Sequence, residues 1–430
     1  MTVNILTLGC SKNLVDSEHL LAQFRASGYQ VLHNAQDTPA EVVIINTCGF
    51  ILDAKEESVD SILSYLEEKR RGNIRKLFVM GCLSERYREE LTKEMPEVDG
   101  FFGVWEMPAI LEALGSKLDQ HLLQERELTT PSHYAYLKIS EGCNRSCAFC
   151  AIPGIRGPQQ SVSIEDLLIE SNNLVNKGVK ELILIAQDLT SYGIDLYGRR
   201  ALPELLRELV KIEKLEWIRL HYAYPTGFPE EVIGLMASEE KICNYLDIPI
   251  QHVNDKVLTA MGRGHDRAKL ENLLQNFRRQ VPDVALRTTV LTGFPGETDK
   301  AYSELLDFIR EFRFERLGVF PYSHEEDTPA YKNSRDQVPD QVKSDRAGAI
   351  MELQQSISLS LNEEKIGKTF KVLIDRREGQ YFVGRTQYDS PEVDNEVLLE
   401  ESPQLSIGHF YQVRITGAGE FDLFGAVVRA

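Results

Sequence analysis

Six of the seven cysteines fall into two sets of three, and thiols are the side chains that soft metals and iron–sulfur clusters select. One set is local: Cys143-Asn-Arg-Ser-Cys147-Ala-Phe-Cys150, with the spacing Cys-x3-Cys-x2-Cys. A cubane ligated wholly by protein takes four cysteines, and a structural zinc site takes four Cys or His ligands. This loop offers three thiols and no histidine. Three thiolates would leave one iron of a four-iron cluster open to another ligand. A zinc knuckle completed by a distant histidine is the competing assignment, and it fits poorly because zinc ligands usually come in spaced pairs.

The other set is dispersed. Leu8-Gly-Cys10, Asn46-Thr-Cys48 and Met80-Gly-Cys82 each close a stretch that reads as a β-strand. In an open α/β sheet, ligands bind at the carboxyl ends of strands, so these thiols are expected to converge. Gly9 and Gly81 would let the backbone turn tightly beside a bulky ligand. Three independent buried cysteines are the bland alternative, but three equivalent positions in successive units speak against it.

Other candidates carry less. Thr292-Gly-Phe-Pro-Gly-Glu-Thr298 follows a strand, where Gly293 and Gly296 permit close approach of backbone to ligand. Gln187-Asp188 and Gln251-His252 also end strands and read equally well as satisfied loop groups. Cys243, in Lys241-Ile-Cys-Asn-Tyr-Leu246, reads as core. His19, His33 and His409 lack metal-ligand spacing, Glu67-Glu-Lys-Arg-Arg71 reads as a solvated helix face, and no residue stands out as a general base.

The elements that must position these groups form three bodies. Residues 1–117 alternate strand and helix: strands near 3–8, 42–45 and 76–80, helices near 14–27, 53–70 and 84–94. Repeated βα units imply a small open α/β domain. Residues 118–133 are polar, lack periodicity and read as a linker. Within 134–365, six strands (135–140, 181–186, 217–222, 245–250, 285–292 and 316–321) alternate with helices, too few for a closed eight-stranded barrel. A partial (β/α)6 TIM-like barrel is expected, followed by a long helix at 338–365. Residues 366–430 change to short alternating strands, the texture of a small antiparallel β-barrel. The class is α/β with that barrel appended.

A formal charge of −18 argues against a protein built to grip nucleic-acid backbone and suits a basic partner. No apolar run reaches the roughly 18 residues of a membrane span. Met1-Thr-Val-Asn-Ile5 lacks the basic and apolar regions of a secretory signal, so a cytoplasmic, reducing setting is expected, where cysteines do not form a disulfide framework.

The Cys143–Cys150 spacing, with Phe149 before the last cysteine, on the first βα loop of a partial barrel, resembles the radical S-adenosylmethionine superfamily. With the second three-cysteine set and the C-terminal barrel, essentially the whole chain resembles the methylthiotransferases, which replace a C–H bond with C–S–CH3. The string Thr7-Leu-Gly-Cys-Ser-Lys-Asn-Leu-Val-Asp-Ser-Glu18 is similar to their RimO branch, as is Gly384-Arg-Thr-Gln-Tyr-Asp-Ser-Pro-Glu-Val-Asp394, although Ser390 and Asn395 stand where many relatives carry Ala and Gly.

This resemblance implies two 4Fe-4S clusters, one on Cys143, Cys147 and Cys150 and one on Cys10, Cys48 and Cys82. It implies S-adenosylmethionine contacts at Gly293, Gly296 and Glu297, and a TRAM-like substrate-binding barrel at 366–430. It further implies an aspartate of ribosomal protein uS12, free or in the small ribosomal subunit, as target, together with a reducing electron donor and a sulfur source. Residues 366–430 hold seven Lys/Arg against ten Asp/Glu, a better match to a basic protein than to tRNA. The alternatives are a methylthiotransferase acting on a tRNA adenosine and a non-catalytic iron–sulfur or metal-binding interaction protein.

Overall fold

Successive residues of Val42-Val-Ile-Ile45 face opposite sides of a strand, and all four are apolar, so the strand needs cover on both faces. The computed structural model, which describes residues 1–35, 38–400 and 403–428, provides it. Thr2–Thr7 (β1), Gln30–His33 (β2), Val42–Thr47 (β3), Lys76–Gly81 (β4) and Gly100–Phe101 (β5) form a parallel sheet ordered β2-β1-β3-β4-β5. Val42 and Ile44 pack with Leu20, Phe24 and Ile110 on one face, while Val43 and Ile45 pack with Ile62, Leu66 and Leu83 on the other. Three strands were expected. The half-buried edge β2, the two-residue β5 and the helix Met107–Ala113 are too short for periodicity to reveal.

The second body begins with Tyr134–Lys138 (β6) and a small ribbon of Ser140–Glu141 (β7) with Gln160–Ser161 (β8). Glu181–Ile185 (β9), Trp217–Leu220 (β10), Ile242–Asp247 (β11), Ala285–Thr292 (β12) and Arg316–Pro321 (β13) then add to β6 in sequence order, all parallel. The sheet stays open, with β6 and β13 as its edges. The helices Ile164–Asn176, Arg267–Gln280 and Asp299–Phe312 start at Ser163, Asp266 and Thr298, whose side chains accept from Asp166, Lys269 and Ala301 N–H groups. Such caps contribute about 1 kcal/mol each. Leu182, Leu184, Leu246 and Leu286 bury the outer face against these and neighbouring helices. On the inner face Tyr134, Tyr136, Ile183 and Ile185 meet Leu14 and Val15 of the helix Ser11–Ala26, so the first body lies over the partial barrel.

The connecting segment 118–133 has a single turn of 3-10 helix, Gln120–Leu122. It also carries Arg126, a fully buried guanidinium paired to Glu18 of the first body and to Glu170 of the second. The long helix Asp340–Glu363 leads to the third body, donating from Gln354 to the Phe314 carbonyl at 2.9 Å and from Ser358 to the Glu420 carbonyl at 2.6 Å.

Thr369–Glu378 (β14), Tyr381–Thr386 (β15), Glu396–Glu400 (β16), Phe410–Ala418 (β17) and Asp422–Val427 (β18) close into a barrel ordered β14-β15-β16-β18-β17. The expectation of an antiparallel barrel needs one correction: β16 and β18 pair in parallel. Five strands cannot alternate direction all the way round a closed ring, so one neighbouring pair must share its direction. Arg385 of this barrel reaches Glu181 at 2.5 Å and Asp375 at 2.8 Å, and Arg219 of β10 also holds Glu181, at 2.8 Å. The loop after β15 touches the inner face of the open sheet, where Ser390 Oγ lies 2.8 Å from His221 Nε2 and Tyr245 donates to Asp394 at 2.7 Å. Among the described residues no helix is long and apolar enough to cross a membrane.

Candidate active site

Strands β1, β3 and β4 are adjacent and parallel, so Cys10, Cys48 and Cys82 leave one edge of one sheet together. Cys10 immediately precedes the helix Ser11–Ala26, and Cys82 is the first residue of the helix Cys82–Glu94. That helix was expected to start at Ser84; its earlier start puts the thiol in the first turn, where the helix dipole favours anionic sulfur. Gly9 has φ +87°, and a Cβ there would stand 2.7 Å from Cys48 Cβ. At Gly81, φ +96°, a Cβ would stand 2.4 Å from Asn46 Oδ1. Asn13 ties the strand ends together, donating to the carbonyls of Leu8 and Thr47 at 2.9 and 3.1 Å. Burial pushes the Cys48 thiol up and the Cys82 thiol up to about 11, with Arg156 opposing the shift at Cys82.

The second set lies on the irregular segment between β7 and the short helix Ile152–Arg156. Cys150 N donates to the Cys147 carbonyl at 3.1 Å, and Arg145 N donates to Cys143 Sγ at 3.4 Å. Arg263 donates to Cys147 Sγ at 3.3 Å, and Tyr224 Oη lies 3.6 Å from the same sulfur. Burial pushes the Cys150 thiol up to about 12. Soft thiols ringed by guanidinium and N–H donors suit an anionic iron–sulfur cluster. Among the described residues no three His, Cys, Asp or Glu side chains are grouped to grip a single ion. The thiolates of a cubane bind separate irons and need not converge on one point.

Sequence reasoning missed the residue that joins the two sets. Arg156 closes the helix after Cys150, and its buried guanidinium reaches Cys82 Sγ at 3.3 Å, Asn13 Oδ1 at 2.5 Å and Glu141 at 2.8 Å. Lys138 pairs with Asp16 and with Glu141, the latter at 2.7 Å. Despite burial, Lys138 and Arg156 hold the Glu141 carboxyl well below the usual range. An arginine six positions after the last cysteine was the available signal, but nothing in the sequence pairs it with Cys82.

A cavity of about 860 Å³ opens between the first two bodies, lined by Phe50 after Cys48, Phe149 beside Cys150, and Gln251, Leu291, Tyr322 and Lys343. Gly293 and Gly296 lie in the loop after β12. Gly293 has φ +76°, and a Cβ there would meet Lys343 Cγ at 2.2 Å; Gly296, φ +92°, faces open space. The Glu297 carboxylate is committed within the fold, to Arg346 at 2.6 Å, to Gly293 N at 3.0 Å and to His252 Nε2 at 3.4 Å. Gln187 donates to Glu141 at 2.5 Å, and Asp188 pairs with Arg145 at 2.7 Å. Cys243 is buried in the core beside Trp217 and Tyr245.

Comparisons with known proteins bear on all three bodies. The profile of the uncharacterized protein family UPF0004 matches residues 2–103, that of the radical SAM superfamily residues 137–309, and that of the TRAM domain residues 366–428. The ribosomal protein uS12 methylthiotransferase RimO of Christiangramia forsetii is 54% identical, over 98% of this chain and 93% of that protein. Its namesake from Flavobacterium psychrophilum is 55% identical, over 98% and 97%. Among solved structures, the radical S-adenosylmethionine methyltransferase TsrM from Kitasatospora setae, with cobalamin and a [4Fe-4S] cluster bound, superposes with a TM-score of 0.57 at 12% identity. The match covers 95% of this chain and 80% of that one. At that identity the likeness concerns the fold alone.

Proposed function

The chain belongs to the RimO family of ribosomal protein uS12 methylthiotransferases, and from that membership we propose how its residues divide the reaction. It is a radical S-adenosylmethionine enzyme that methylthiolates uS12. The target in this proposal is an aspartate, whose β C–H becomes C–S–CH3 in 3-methylthioaspartate. Cys143, Cys147 and Cys150 would hold one 4Fe-4S cluster with a corner left for S-adenosylmethionine, and Cys10, Cys48 and Cys82 a second with a corner left for sulfur. When bound, the two clusters supply the electron that splits the S-adenosylmethionine sulfonium into a carbon radical, and the sulfur to be delivered.

The protein's part is placement. Arg263 and Tyr224 orient Cys147, and Arg156 orients Cys82 from the segment that carries the other set. Gly296 lets backbone approach S-adenosylmethionine, while Gly293 and the Glu297–Arg346 pair shape the loop around it. Phe149 and Leu291 make part of the cavity wall apolar, which keeps water from a reactive centre. A second S-adenosylmethionine to donate the methyl group, an electron donor and a sulfur source, in a reducing cytoplasm, complete the requirements.

The observation that best supports this division is the contact of Arg156 with Cys82, which ties the segment following Cys150 to the N-terminal cysteine set. Mass spectrometry of uS12 from matched cells with and without the gene tests the substrate. A methylthio group on one aspartate that disappears on deletion is expected. Unmodified uS12 in both strains would contradict the substrate assignment and turn attention to tRNA nucleosides.

A further inference from the structure

Around the N-terminal cysteine set the charges do not balance. Lys138 and Arg156 share the carboxylates of Asp16 and Glu141, Arg145 has Asp188, and Arg263 donates to the Pro249 carbonyl and to Cys147. Lys12 is 8% exposed and, among the described residues, has no ion pair or hydrogen-bond acceptor. Its Nζ instead lies 3.4 Å from the centroid of the Tyr222 ring. A lysine with so little exposed surface ordinarily has an anionic partner.

Its surroundings say where such a partner would come from. Lys12 is two residues past Cys10, on the first turn of the helix that lies over the inner face of the open sheet. Tyr222 follows β10 with φ +61°, an unusual conformation for a bulky side chain and one that clusters at functional sites. Two residues on, Tyr224 touches Cys147. The ammonium is thus linked on one side to Cys10, two residues before it, and on the other, through Tyr222 and Tyr224, to Cys147.

We propose that Lys12 receives the side-chain carboxylate of the target aspartate, fixing its β-carbon between the two sets and making the enzyme selective for an acidic residue over its amide. The inference rests on the uS12 aspartate reading above and adds the residue that recognises it. A charge-assisted hydrogen bond in a poorly hydrated site carries roughly a 10- to 100-fold preference.

The test is calorimetric binding of purified uS12, and of uS12 with the target aspartate changed to Asn, to the reconstituted full-length enzyme. The wild type is expected to favour the aspartate form by roughly 10- to 100-fold. Lys12→Met should bind the two forms alike, and Lys12→Arg should keep most of the preference, with S-adenosylmethionine affinity unchanged in both. A Lys12→Met protein that keeps the preference would overturn the assignment. So would one whose only changes are weaker S-adenosylmethionine binding or an altered spectrum of the N-terminal cluster. If the wild type binds neither form of uS12, either purified or within the small ribosomal subunit, the underlying substrate reading falls, and the assignment of Lys12 falls with it.

Discussion

Arg156 shows how one side chain can do what neither cysteine set does alone. It is buried, hydrogen-bonded to Cys82, and paired with carboxylates from two bodies. Truncating it leaves Glu141 with Lys138 as its remaining charged partner, and breaking buried pairs of this kind costs about 3–5 kcal/mol. Arg156→Gln is expected to lower the urea midpoint accordingly and to change the absorption and EPR spectra of the N-terminal cluster, with Arg156→Lys restoring part of both. A purely packing role would leave those spectra unchanged. His19 gives a pH signature. Burial, the largest cause, holds its imidazole down to about 4 from an ordinary 6.5. Between those values the unfolded chain binds a proton that the folded chain refuses. Stability should therefore fall as pH drops from about 6.5 towards 4. Denaturation curves of His19→Gln across that window should slope less; an unchanged slope would mean that other groups dominate acid sensitivity.

At the scale of elements, the N-terminal cysteine set is positioned by where strands stop. Cys10, Cys48 and Cys82 were legible as strand-end residues because β-branched or apolar runs precede them and because two follow glycines. Gly81 is the stricter of those glycines, its φ of +96° placing a hypothetical Cβ against Asn46 Oδ1 and the Thr47 carbonyl. Gly81→Ala is expected to cost about 1–3 kcal/mol through backbone strain. It should also lower iron retained by the N-terminal set while S-adenosylmethionine cleavage persists. Iron analysis beside a 5′-deoxyadenosine assay would check this, and full iron content in the variant would count against it. Less legible were the partners of Glu297, which the family resemblance gives as an S-adenosylmethionine contact. Arg346, 49 positions away, holds it at 2.6 Å, and no local pattern encodes a partner at that distance.

The α/β class and the small barrel after it were visible in the sequence as changes of texture, because periodicity and β-branched content are local properties. How the bodies join was not. The fastening is a set of buried ion pairs between distant residues, Arg126 with Glu18 and Glu170, and Arg385 with Glu181. Their partners become neighbours only in the folded chain. The parallel β16–β18 pair followed from closing five strands, which composition does not reveal. This assembly packs Cys82 against Ala151 and Ile155 of the segment that follows Cys150, and the two cysteine sets are expected to perform separable halves of one reaction. The most direct test is the Cys10→Ala/Cys48→Ala/Cys82→Ala protein, reconstituted anaerobically and assayed for 5′-deoxyadenosine and for methylthiolated uS12 together. Retained S-adenosylmethionine cleavage with no methylthio product is the expected result. Methylthiolated uS12 at the wild-type rate would contradict the account.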